Sequence, residues 1–317
     1  MSYQPHLADT GFLLFNVLQA PAQLQGLPQL TEADQPLMEQ VLDEAGKFVA
    51  EVVAPLTRVG DEVGCSWHAG AVTTPPGFRD AYQAFVQAGW PALACAEEDG
   101  GQGLPWVLEG VLYEWLNAAN HGWTMTPGLL HGAYECLKHH GSDALKAAYL
   151  PHIASGEWLA TMCLTEPQAG SDLGLVRTQA VPVEASLDHH ISGTKIFISG
   201  GEHDLTDNIL HLVLARLPGA APGPKGLSLF LVPKLLPDGT RNTVVCERIE
   251  EKMGLHGSPT CVMRFDAATG WLIGSPGAGL NAMFVMMNAA RLLVALQGIG
   301  LLDAAWQKAH AYALERR

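Results

Sequence analysis

The chain has 317 residues, 48% of them apolar and 16% charged, and its 18 basic and 32 acidic side chains leave a net charge of −14. Such a length suits about two domains, and the apolar fraction excludes a disordered chain. The acidic balance and the lack of any Lys/Arg run set generic nucleic-acid binding aside, because basic side chains supply that affinity.

Residues 1–20 show neither a basic leading segment nor a long apolar stretch, so no secretory signal is expected. Residues 31–152 read as helical. Thr31 and Asp34 resemble a capping box. Leu37, Val41, Leu42, Ala45, Phe48, Val49, Val52, Val53 and Leu56 then recur at helical spacing, and Pro55 marks the end. Pro76-Gly77 opens a helix over Phe78 to Ala88. Further helices are predicted over Pro105 to Asn120, Leu129 to His140 and Ser142 to Ser155.

From Leu159 to Leu272 the texture changes to short runs of Val, Ile, Leu, Phe and Thr separated by turn residues. Strands are predicted at Leu159–Leu164, Thr178–Glu184, His190–Ile198, Ile209–Ala215, Ser228–Val232, Val244–Ile249 and Cys261–Phe265, a spacing that suits an all-β barrel or sandwich. After Gly277-Ala278-Gly279 a helical pattern returns and runs to Arg317, interrupted only by Gly298 and Gly300. Arg291 sits in the middle of its most apolar window, together with Asn288 and Gln297, which argues for a core helix and against a membrane span. A helix this apolar must pack on something, so the reading expects a chain cut short or one completed by a second polypeptide.

The six cysteines form no CxxC pair and read as buried small hydrophobes in a reducing cytosol. P-loop, GxGxxG, HExxH and GxSxG patterns are absent, and no metal site is expected. Two segments stand out. One is Met162-Cys163-Leu164-Thr165-Glu166-Pro167-Gln168-Ala169-Gly170-Ser171-Asp172, where a strand exits into a turn that offers backbone N–H groups and two hydroxyls. The other is Lys195-Ile196-Phe197-Ile198-Ser199-Gly200-Gly201, a strand running into a Ser-Gly-Gly exit. Either one alone is as readily an ordinary strand exit as a ligand loop.

Together, at this spacing, they resemble the acyl-CoA dehydrogenase family, whose middle domain pairs a TEPxAGSD loop with a K-aromatic-I-[ST]-G strand. Gly156-Glu157-Trp158, the run from Gly226 to Pro233, the run from Glu251 to Ser258 and Tyr312-Ala313-Leu314-Glu315-Arg316 extend the likeness over roughly residues 35–317. Tyr3 to Leu18 and Gly201 to Asn208 look closest to its 3-methylmercaptopropionyl-CoA dehydrogenase-like branch.

The resemblance implies an α+β architecture: an extension at residues 1–34, an α-helical domain at 35–157, a β-barrel domain at 158–275, and the first helix of a C-terminal bundle at 276–317. It also implies FAD, an acyl-CoA substrate, an electron-transfer flavoprotein or similar acceptor, a homo-oligomer and a cytoplasmic location. Met162, Cys163, Leu164 and Thr165 would line the flavin, and Gly170 would allow close backbone approach. Ser171 would contact the diphosphate side or the acyl-CoA. Phe197, Ile198 and Ser199 would cover the ring. Asn288 and Arg291 would meet the substrate, although Asn288 replaces the family's Asp and Arg291 read alone also suits an interior salt bridge. Arg316 would reach a diphosphate of a neighbouring subunit. Where some members carry the catalytic Glu this chain has Ala290, so no catalytic base is expected within these residues. A flavin- or acyl-CoA-binding subunit without activity is the alternative.

Overall fold

The computed structural model describes residues 2–27, 30 and 33–316. The leading segment is more structured than its sequence suggested. A short helix α1 (Leu7–Gly11) runs into a π-turn over Phe12–Val17, and α2 (Ala20–Leu24) follows. Tyr3 and Leu14 bury into the helical core.

Asp34 caps α3 (Gln35–Phe48) by accepting a hydrogen bond from the Leu37 N–H at 3.0 Å; Thr31 lies outside the described residues. The helix widens into a π-turn at Val49–Val53 and tightens to a 3₁₀ turn at Ala54–Leu56. The regular helix thus ends at Phe48, before the predicted stop, and Pro55 sits in the 3₁₀ turn without ending the helical path, which resumes as α4 (Thr57–Glu62). Next comes a hairpin that the helical texture concealed: β1 (Ser66–His68) and β2 (Ala71–Thr73). Ala69 and Gly70 both take left-handed backbone (φ 49° and 88°) and close it as a two-residue turn. The helices α5 (Phe78–Gln87), α6 (Trp106–Thr124), α7 (Leu130–His140) and α8 (Asp143–Ala154) follow the predicted periods closely. Only α6 is kinked, at Asn120, whose φ of −155° and ψ of 85° are not helical.

The remaining strands are β3 (Leu159–Cys163), β4 (Gln179–Pro182), β5 (Asp188–Ser199), β6 (Ile209–Arg216), β7 (Leu227–Pro233), β8 (Val244–Ile249) and β9 (Thr260–Ile273). They form one sheet in which β6, β4, β5, β9 and β7 pair in turn and β7 returns to β6, closing a barrel. β3 adds to β6 in parallel, with Leu159 opposite Ile209, and β8 adds to β9. Strand β9 runs eight residues past the predicted end at Phe265, which is what allows its second half to pair with both β5 and β7. In the fold, Gly270 is small because a β-carbon there would lie 2.8 Å from Val232 and 3.0 Å from the Leu231 carbonyl.

The closing helix α9 (Gly279–Glu315) is continuous for 37 residues, so neither Gly298 nor Gly300 breaks it. By length and composition it could cross a membrane. It packs on α6, α7 and β7, burying Ala282, Met283, Met286 and Gly300. Gln307 and the Gln4 backbone exchange hydrogen bonds (2.8 and 3.1 Å), and His6 lies 2.9 Å from Asp303, so the leading segment is tied to the second half of α9.

Candidate functional site

Strand alternation sorts the first predicted segment. Cys163 is fully buried inside the barrel among Val213, Phe230 and Cys261. Its side chain therefore cannot serve a ligand, and only its backbone remains for that role. Met162 and Leu164 point to the opposite side and pack partly exposed against the helical core. After Leu164 the chain folds back on itself: the Glu166 and Ala169 backbones exchange hydrogen bonds at 2.9 and 3.0 Å around Pro167-Gln168.

The turn is pinned from within. Glu166 is 3% exposed, and its carboxylate accepts from Lys195 Nζ (2.8 Å), Thr178 N (3.0 Å), Thr178 Oγ1 (2.6 Å), Arg177 N (2.8 Å) and Gln168 Nε2 (2.6 Å). Burial pushes its pKa up, but the Lys195 ammonium and these donors more than reverse that and hold it at about 2. Lys195 is completely buried, which lowers its own pKa against the pull of Glu166. Its Nζ also donates to the Leu164 carbonyl at 3.0 Å. The adjacent Ile196 N–H donates to the Thr165 carbonyl at 2.9 Å.

Immediately beyond, the β5–β9 register shifts between Lys195 and Ile198, and Phe197 takes a left-handed backbone (φ 60°) that is costly for an aromatic residue. The bulge turns the Phe197 ring outward, leaving it 61% exposed. Ile198 returns to the barrel interior and Ser199 is half-buried. Gly200 (φ 62°) brings the end of β5 against the α6–α7 connection, where a β-carbon would lie 3.0 Å from Thr126. Among the described residues, no hydrogen bond engages the hydroxyls of Thr165, Ser171 or Ser199 as donors or acceptors. An outward aromatic ring beside uncommitted hydroxyls fits a planar heteroaromatic ligand with hydrogen-bonding edges. Gly170 and Ser171 lie exposed on the same loop, which Asp172 stiffens by accepting from Gly174 N at 2.8 Å.

The Arg291 guanidinium donates to Asn288 Oδ1 at 2.6 Å and lies 5.5 Å from the Phe284 ring centroid. It therefore makes a local pair in place of the interior salt bridge. Asn288 lines a cleft of about 630 Å³ with Trp106, Glu135 and His139. Arg316 follows the helix, exposed. A further cleft of about 760 Å³ lies between α4, α6 and the second half of α9, and none of the sequence-predicted site residues line it. Sequence reasoning missed the buried Glu166–Lys195 pair: a lysine is ordinarily exposed, and only the fold brings Glu166 to it.

Residues 36–157 match the N-terminal domain of acyl-CoA dehydrogenases, and residues 161–268 match their middle domain. The 3-methylmercaptopropionyl-CoA dehydrogenase of Ruegeria pomeroyi is 44% identical over 321 residues, covering all of this chain and 54% of that protein. A broad-specificity linear acyl-CoA dehydrogenase of Mycobacterium tuberculosis is 36% identical over 99% of this chain and 53% of its own length. The chain thus spans about half the length of these curated relatives. Among solved structures, a probable acyl-CoA dehydrogenase of Mycobacterium abscessus is 26% identical and superposes with a TM-score of 0.72 over 88% of this chain and 69% of that one. The two domain matches, the relatives and the barrel-on-helices fold agree: the chain belongs to the acyl-CoA dehydrogenase family and carries its N-terminal and middle domains.

Proposed function

We propose that this chain forms the flavin-bearing part of an FAD-dependent acyl-CoA dehydrogenase. The observation that carries the reading is the face made by Thr165, Phe197 and Ser199, with its exposed ring in a strained bulge and its hydroxyls uncommitted. When bound, FAD would supply the hydride acceptor for oxidising the α,β bond of an acyl thioester. Thr165 and Ser199 would hydrogen-bond its ring edges, Phe197 would cover a face, and Ser171 would meet the diphosphate side or the substrate. Asn288 and Arg291 would hold part of the acyl-CoA, and Arg316 would serve the diphosphate of a neighbouring copy.

Ala290 leaves α9 without a carboxylate at the family's position, and Glu166 is consumed by its five donors. We place the general base outside these residues. The same observation favours a second reading, a flavin- or acyl-CoA-binding subunit without turnover. An electron-transfer flavoprotein as acceptor, self-association, a cytoplasmic location, and the lack of a membrane span or nucleic-acid partner belong to the proposal.

The test is flavin titration followed by dye-coupled turnover. Thr165→Ala and Ser199→Ala are each expected to weaken FAD binding by about tenfold, the worth of one hydrogen bond in a dry site. Unchanged affinity in both variants would overturn the assigned face. The 317-residue chain assayed alone is expected to hold FAD weakly and to show no turnover; turnover would place a base within it.

A further inference from the structure

We infer that the buried Glu166–Lys195 pair is the positioning device of this face, fixing the Thr165 hydroxyl and the Phe197 ring relative to each other; the inference rests on the flavin reading above. The connections are consecutive on both chains. Lys195 Nζ holds the carbonyl of Leu164 (3.0 Å) and the carboxylate of Glu166 (2.8 Å), the residues on either side of Thr165. Between them, the Ile196 N–H holds the Thr165 carbonyl itself at 2.9 Å. Residues 164, 165 and 166 are thus tied to residues 195 and 196, and Phe197 comes next, thrown outward by the bulge.

The far side of the carboxylate is tied as firmly. Thr178 and Arg177 donate to it from the approach to β4, and Gln168 donates from within the turn. One carboxylate thereby gathers the loop, the entry to β4 and the interior of β5. A nonpolar pair of the same volume would fill the space but could not satisfy the Leu164 carbonyl or the Thr178 and Arg177 amides, all of which need partners when buried. The two charges cancel within the barrel wall, so the pair specifies geometry without presenting a net charge to the ligand face. Neither residue is a catalytic residue; both act through Thr165 and Phe197.

Removing one partner alone strands the other charge in the core, so the test uses Glu166→Gln combined with Lys195→Met. Three readouts are compared with the unsubstituted protein: circular dichroism, amide hydrogen exchange without flavin, and FAD affinity together with the visible flavin spectrum. The expected result is a folded barrel with protected β6 and β7 amides, amides 165–171 exchanging about tenfold faster, and FAD bound about tenfold more weakly with a shifted band, in keeping with loss of a charged hydrogen bond. Unchanged loop exchange and unchanged FAD affinity in the folded double variant would overturn the inference.

Should the double variant fail to fold, Thr178→Val removes only the 2.6 Å hydroxyl donor to Glu166. Faster loop exchange and weaker FAD binding are expected there too, and wild-type values for both would overturn the inference. Failure of the flavin reading has a separate signature. The unsubstituted protein would then bind no FAD while the variants still loosened residues 165–171.

Discussion

His131 on α7 places its Nδ1 3.1 Å from Glu109 Oε2 on α6, with the two side chains only 4% and 7% exposed. Its other ring nitrogen lies 3.6 Å from Glu135 Oε1, and the Trp106 ring meets the imidazole edge-on at 4.1 Å. Neither ring nitrogen has a well-aligned hydrogen-bond acceptor, so the pairing is chiefly Coulombic. Burial alone would lower the pKa of His131. The Glu109 carboxylate, seconded by Glu135, outweighs it and raises the value above the ordinary 6.5. A raised histidine stabilises the fold fully below its unfolded pKa, and that contribution disappears as pH rises through the folded value.

His131→Gln is therefore expected to cost about 3 kcal/mol at pH 6, because it leaves Glu109 buried without its counter-charge. The deficit should shrink above the raised pKa, where the unsubstituted protein also carries a neutral ring. Urea unfolding at acidic and alkaline pH measures this directly. A deficit independent of pH would mean that the ring acts by packing alone.

The two glycines of α9 make opposite predictions. Gly300 crosses α6 so closely that a β-carbon would collide with the Glu114 carbonyl and stand 3.0 Å from the Ala118 amide. Gly298, two residues earlier, has nothing within 4 Å of that position. Gly300→Ala is expected to cost about 1–3 kcal/mol through overpacking. Gly298→Ala should stabilise by about 0.5–1 kcal/mol, since alanine restricts the unfolded chain and suits a helix better. Thermal unfolding of the two variants should shift in opposite directions; a parallel shift would contradict this crossing.

That contrast shows where the sequence was legible. The barrel strands could be read because each is a short apolar run bounded by turn residues, and the loop after β3 stood out because Thr165, Pro167, Gly170 and Ser171 form a pattern of unusual chemistry. What stayed hidden depends on pairing across distance. Lys195 looks like a surface lysine until β5 delivers it to Glu166, 29 residues away in sequence. The β1–β2 hairpin has three-residue strands with Val72 as their only buried residue, too few for any period to register. Gly300 reads as a helix breaker, whereas the fold uses its missing side chain as space for α6. Cys163 sits inside the motif, but the two-residue period of β3 directs its side chain into the barrel.

The second half of α9 leads to the last prediction. Leu292, Ile299, Leu302 and Trp306 share one face of the helix and are each at least half exposed. A row of large apolar side chains along one helix exceeds the scattered surface leucines of ordinary proteins. Covering it would remove apolar area from water at about 25 cal/mol per Å². The 317-residue chain is therefore expected to bind a hydrophobic dye such as ANS and to sediment above its monomer mass of 33.8 kDa. Leu302→Lys combined with Trp306→Lys should reduce both signals while leaving the barrel intact, because neither side chain belongs to either hydrophobic core. A dye-silent monomer before substitution would show that this face is tolerated in water as it stands.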